Sequence, residues 1–217
     1  MPTPFHFSAV EIAALHDRTT DLWHQNPDAQ PDAQPDGEIR PDGLSLVAIV
    51  TAQHRANFDL WHTEDRARIP NATDRDIAQV KHAIDRINQR RNDLAEQCDA
   101  MLLDYATEAL RSKGGPASTA PLNSESPGLM IDRLSILALK IFHTEEEIDR
   151  PNAPAGHTER NRERLALLTE QRDDLIQCLD QLWSQVLAGT RRFKIYRQLK
   201  MYNDPTLNPA IYGSPSE

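Results

Sequence analysis

The 217-residue chain carries 33 acidic against 24 basic side chains, a formal net charge of −9. That balance argues against a nucleic-acid binder, which gains affinity by releasing counterions along a basic face. With 39% hydrophobic residues and a mean hydropathy of −0.62, a core can form, yet no stretch approaches the roughly 18 apolar residues of a membrane span.

Several signals point to a reduced, cytoplasmic setting. The opening Met-Pro-Thr-Pro-Phe-His has neither the charged nor the apolar region of a secretory signal. Cys98 and Cys178 both fall inside helical patterns, so a disulfide framework is not expected. Strand signals are nearly absent, and apolar residues recur at spacings of three and four. The expected fold is all-α, a single antiparallel bundle over 1–217.

The first predicted helix opens at Ser8, with Glu11 closing a capping box and Phe7 with Ile12 forming a hydrophobic staple. It runs to about Trp23 and would cap one side of the bundle. Residues 26–43, with a repeated Pro-Asp-Ala-Gln unit, read as a linker. A second helix runs from about Leu44 to Arg66. One of its faces carries His54, Phe58, Trp61 and Asp65, beside Asn57 and Arg68. The third starts near Thr73, where Asp76 supports the cap, and ends near Ser112. Residues 113–125 form a second linker. The fourth begins at Ser126, with Pro127 in its first turn, and stops before Pro151. The fifth starts near Thr158 and runs to about Tyr202, with a bend at Gly189. A tail covers 203–217.

Shifting the chain by 81 aligns two segments without gaps. His62-Thr63-Glu64 falls on His143-Thr144-Glu145, and Pro70-Asn71-Ala72 on Pro151-Asn152-Ala153. Arg91, Asp93, Leu94 and Asp99 fall on Arg172, Asp174, Leu175 and Asp180. Identity at one offset is the pattern of a duplicated supersecondary unit. The two hairpins would cover 44–112 and 126–202, packing together as a four-helix bundle.

Arg91 and Arg172 occupy matching slots in apolar heptad seams. A guanidinium cannot shed its charge, so each needs a carboxylate or an anionic ligand. The fourth helix is apolar nearly all round yet holds Asp132, Arg133 and Lys140. Asp132 is the expected partner of Arg172 and, by pseudo-symmetry, could also reach Arg91. Full pairing would make the charges a register device, whereas a surplus cation would hold a phosphate-like ligand.

Each first helix ends in His and acids. His62 with Asp65, and His143 with Glu146, share a face. Glu64 lies beside them, and such clusters on facing helices can hold a divalent metal. That is the one cofactor the sequence suggests. The set Glu64, Asp65, Glu96 and Asp99 is similar to the magnesium-binding acids of all-α nucleotide pyrophosphohydrolases. Here its halves would lie roughly 30 Å apart along one hairpin. Residues 190–212 interleave Arg191, Arg192, Lys194, Arg197 and Lys200 with Phe193, Tyr196 and Tyr202, a candidate anion surface.

Three strings run Asn57-Phe58-Asp59-Leu60-Trp61-His62, with Glu64, Asp65, Ala67 and Arg68 following; Asp132-Arg133-Leu134-Ser135-Ile136-Leu137, with Leu139 and Lys140; and Lys200-Met201-Tyr202-Asn203-Asp204-Pro205. They resemble an uncharacterised bacterial family whose members look like neighbours of lipopolysaccharide and cell-surface glycosyltransferases. The resemblance implies a context without a mechanism. The leading expectation is a bundle that binds an anionic sugar or nucleotide-sugar, or assists a glycosyltransferase, through Trp61, Arg68, Arg91, Asp132, Lys140, Arg172, Arg197, Lys200 and Tyr202. The alternatives are a metal-dependent hydrolase built on His62, Glu64, Asp65, His143 and Glu146, and a structural adaptor dimer. Expected partners are accordingly a second copy of the chain or a glycosyltransferase.

Overall fold

The computed structural model describes residues 7–30, 45–111, 119–197 and 206–207. Five α-helices account for the fold: α1 (Ala9–Gln25), α2 (Leu46–Arg66), α3 (Asp74–Arg111), α4 (Pro127–Ile148) and α5 (His157–Leu187). None is long and apolar enough to cross a membrane.

Local chemistry sets the helix starts. Ser8, Ser45 and Ser126 each cap a helix through the side-chain oxygen. Thr73 and Asp76 make the reciprocal capping box at α3, with both backbone N–H contacts at 3.2 Å. The hairpin turns are sharp because Asn71 and Asn152, 81 positions apart, adopt left-handed φ values of 66° and 58°. Asparagine tolerates that region better than most L-residues.

The fifth helix differs from expectation. It starts at His157, behind Gly156, and ends at Leu187 rather than near Tyr202. Gly189, with φ +72°, terminates it instead of bending it. The chain then turns back, and Arg192 exchanges backbone hydrogen bonds with Pro121 (3.1 Å) and Asn123 (2.7 Å). Phe193 is thereby drawn into the core. The cationic segment thus begins as an extended strap rather than a helix. Lys200 and Tyr202 lie outside the described residues.

Inter-helix contacts fix the directions. His16 meets His54 and His24 meets His62, so α1 and α2 run parallel. His54 meets Ser135 and His62 meets His143, so α4 runs the same way. Helices α3 and α5 return antiparallel. As expected, α4 is the most enclosed helix, with Ile131, Leu134 and Leu139 at most 1% exposed. By contrast, α1 is no lateral cap: Ala9, Ile12, Leu15 and Trp23 are all buried. The seam of α3 is closed mainly over its second half: Ile77 at its start is 39% exposed, and Val80 is its one buried seam residue before Leu94.

The two long return helices grip their neighbours alike. Asp99 of α3 accepts the Gly128 N–H (2.6 Å) and the Ser126 hydroxyl (2.5 Å) at the start of α4. Asp180 of α5 accepts the Ala9 N–H (2.9 Å) at the start of α1. A carboxylate there satisfies otherwise unpaired N–H groups and meets the positive end of the helix dipole.

Two expectations follow. A Cβ on Gly128 would lie 2.4 Å from the Ala95 carbonyl oxygen, so Gly128→Ala should destabilise by about 1–3 kcal/mol in denaturant titrations. Burial pushes the Asp99 carboxyl up to about 6, against the lowering effect of its two hydrogen bonds. A raised folded-state value means the folded chain binds the proton more tightly than the unfolded one. This contribution to stability is full below about pH 4 and lost as pH rises through about 6, on the order of 2–3 kcal/mol. Asp99→Asn should remove that slope from stability measured between pH 4 and 7.

Candidate functional site

Asp132 lies at the centre of the bundle, 6% exposed. It accepts from Arg91 Nε at 2.7 Å, from Asn57 Nδ2 at 3.0 Å and from the Gln53 amide. Its two oxygens take both arms of the Arg91 fork, and this pairing holds the Arg91 pKa above its ordinary value despite burial. The sequence-based pairing of Asp132 with Arg172 is not what forms. Arg172 instead reaches Asp17 of α1 at 3.1 Å, because α5 packs antiparallel against α1. Both guanidinium groups are therefore neutralised by carboxylates. Burial, and Asp21 beside it, push the Asp17 carboxyl up, while Arg172 pulls it down.

The network continues inward. Asn57 Nδ2 also donates to Ser135 Oγ (2.8 Å), which lies 2.7 Å from His54 Nδ1, and His54 Nε2 lies 2.9 Å from Thr20 Oγ1. His54 is thus held by a hydroxyl at each ring nitrogen, Ser135 at Nδ1 and Thr20 at Nε2. His54 is neutral, burial pushing its pKa down to about 3. Ser, His and Asp meet here, yet Asp132 contacts Arg91 rather than the imidazole and Ser135 is wholly buried. The arrangement holds α1, α2, α3 and α4 in register and exposes no nucleophile.

Two turns further along, the parallel helices bring three imidazoles together: His24 from the last turn of α1, His62 from α2 and His143 from α4. One nitrogen from each lies within 4.8 Å of the others. All three Nε2 atoms are buried, and none has a hydrogen-bond partner among the described residues. The opposite edges explain the orientation. His24 Nδ1 donates to the Thr20 carbonyl at 2.8 Å, and His143 Nδ1 to Glu146 at 2.7 Å. Each bond places a proton on Nδ1, so in the neutral ring Nε2 is the lone-pair side. Burial, then the neighbouring His24 and His143, lower the His62 pKa and favour its neutral form.

Aromatic rings wall the cluster. Trp61 stacks on His143 at 4.8 Å with a 10° interplanar angle, and Phe142 stacks on His24 at 4.0 Å. Phe58 meets His62 edge-on at 4.5 Å. Such a shell limits water entry and strengthens the local field of any bound charge.

The other sequence candidates do not join this cluster. Glu64 and Asp65 both turn to Arg68, at 3.0 and 3.3 Å, on the surface. Glu146 orients His143 through Nδ1 rather than facing the shared centre. Lys140 is exposed, lining a groove of about 480 Å³ between α4 and α5 with Arg133 and Gln171. Arg197 is exposed on the strap. Asp99, from the acidic set, serves as a cap for α4. His24 was not among the sequence candidates, because its helix lies outside the 81-residue correspondence. Its position in the last turn of α1, two residues before the Asn26 cap, is the available signal.

A helical family model matches residues 47–195, and the chain belongs to that family, described as Protein of unknown function (DUF4254). The chain matches no curated protein and no solved structure. The matched segment begins in the first turn of α2, so His62 and His143 lie within it and His24 precedes it.

Removing the Asp132 carboxylate would leave the Arg91 charge and two amides without their acceptor. Asp132→Ala should cost about 3–5 kcal/mol of unfolding free energy, read as a lowered denaturant midpoint. Lys140→Ala, on the exposed edge, should change it by less than about 0.5 kcal/mol.

Proposed function

We propose that this protein binds one divalent transition-metal ion, of the zinc class, through Nε2 of His24, His62 and His143, and that its activity depends on that ion. The observation that carries the reading is the convergence of three imidazoles, one nitrogen of each within 4.8 Å of the others, whose Nε2 atoms are buried and unpartnered among the described residues. Zinc–imidazole bonds are about 2.0 Å, so tetrahedral ligand atoms sit about 3.3 Å apart. Small side-chain rotations would close the present separation. An imidazole set suits zinc, copper, nickel or iron better than magnesium or calcium.

Three neutral ligands leave the ion its full charge and one open coordination position. Zinc in such a setting acidifies bound water to a pKa of about 7. The corresponding reaction class is metal-assisted hydrolysis or hydration. Glu146 would position His143 through its Nδ1 proton. Trp61 and Phe58 would govern access. This keeps the metal reading of the sequence while exchanging its carboxylate ligands for His24.

The anionic-sugar reading has less support. Arg91 and Arg172 are each matched by a carboxylate, which leaves Lys140 and the strap cations as its remaining anchors. A glycosyltransferase partner rests on the family resemblance alone.

Isothermal titration of metal-free protein with zinc should give one site per chain. Cobalt substitution should give the visible d–d spectrum of a four-coordinate ion with three imidazole nitrogens and one solvent ligand. Alanine at His24, His62 or His143 should each weaken binding by more than about 100-fold, and Glu146→Gln by about 10–100-fold. Saturation at about 100 times Kd should add about 2.7 kcal/mol of stability. No stoichiometric binding of zinc, cobalt, nickel or copper would remove the proposal.

A further inference from the structure

Resting on that metal-binding reading, we infer that the ion is a clasp for α1: its binding sets whether the N-terminal helix stays docked on the α2/α4 face. Helix α1 supplies one of the three ligands, His24, from its last turn before the Asn26 cap. The other two belong to the segment that carries the family match, which starts at residue 47. The third ligand therefore comes from a helix outside the matched segment.

The inner face of α1 is built for conditional docking. Trp23 packs on Phe58 and Leu139, and Ile12 and Leu15 enter the main core. The same face buries His16 completely, its ring 4.5 Å from that of His54 and tilted by 31°, with neither His16 ring nitrogen partnered among the described residues. Each buried polar group without a partner opposes docking. The apolar gain and the polar cost thus oppose each other along one short helix.

An ion that binds the docked arrangement and loses a ligand in the undocked one must shift the balance toward docking. Occupancy would then be read at a distance. A released α1 would uncover Phe58, Leu139 and His54, an apolar face with an imidazole at its centre.

Hydrogen–deuterium exchange on the wild-type chain, with and without saturating zinc, tests this without a destabilising variant. Zinc should slow amide exchange along α1 by at least tenfold. The slowing in α1 should exceed that in α3 and α5, which contribute no ligand. In His24→Ala the zinc effect on α1 should vanish. Zinc that binds stoichiometrically but leaves α1 exchange unchanged would overturn the clasp and leave the metal site standing. Uniform slowing of all five helices would overturn it equally. Absence of any zinc-binding heat would remove both, and the calorimeter distinguishes that case from the other two.

Discussion

The bundle depends on how one buried negative charge is met. Asp132 lies on α4, yet its hydrogen-bond donors come from α2 (Gln53, Asn57) and α3 (Arg91). An unpaired carboxylate there would be strongly destabilising, so three helices have one joint arrangement that satisfies it. Burial of apolar area is tolerant of small sliding, whereas a fork of guanidinium bonds is not. Ser135 and His54 then extend the same constraint to Thr20 of α1. The relative heights of α1, α2 and α4 follow from this chain of contacts. Those heights place His24, His62 and His143 at one level.

A second regularity concerns the return helices. Arg91 and Asp99 on α3 hold α4, through Asp132 and the α4 N-terminus. Arg172 and Asp180 on α5 hold α1, through Asp17 and the α1 N-terminus. The donor and acceptor positions are spaced equally on the two helices, 81 residues apart. What corresponds is the role: a cation in the middle of the return helix, and a carboxylate eight residues on at the neighbour's first turn. Helix α1 is to α5 as α4 is to α3, which explains why an N-terminal helix is drawn into the core rather than laid against it.

Much of this was legible in the chain. Helix starts followed from Ser8, Ser126 and the Thr73/Asp76 pair, because capping is a local matter. The need of Arg91 and Arg172 for a negative partner followed from the permanence of their charge. The partner of Arg172 was not legible. Within one hairpin Asp132 is the nearest buried acid by residue count, but the antiparallel packing of α5 on α1 is a long-range choice that periodicity does not encode. The end of α5 was misjudged for a related reason. The helical pattern continues past Gly189, and only pairing of Arg192 with Pro121 and Asn123 makes the turn favourable. His62 and His143 stood out by their shared offset, while His24 lacked a counterpart and was passed over. Counting acids as ligands was also misleading: on an exposed helix end, Glu64 and Asp65 find Arg68 within one turn.

The chemistry of the histidine cluster turns on what its rings cannot do otherwise. Two of the three Nδ1 atoms are committed, one to a backbone carbonyl and one to a carboxylate. A neutral imidazole so fixed presents a lone pair on the other side, and that lone pair must meet a donor or a cation. Among the described residues no donor meets them, and the walls are the rings of Trp61, Phe58 and Phe142. A single divalent ion there, as proposed, would meet all three rings at once and would place its charge beside Glu146, already bonded to His143. On that reading the carboxylate expected from the sequence as a ligand would act one bond further out, raising the basicity of the ring that would touch the metal.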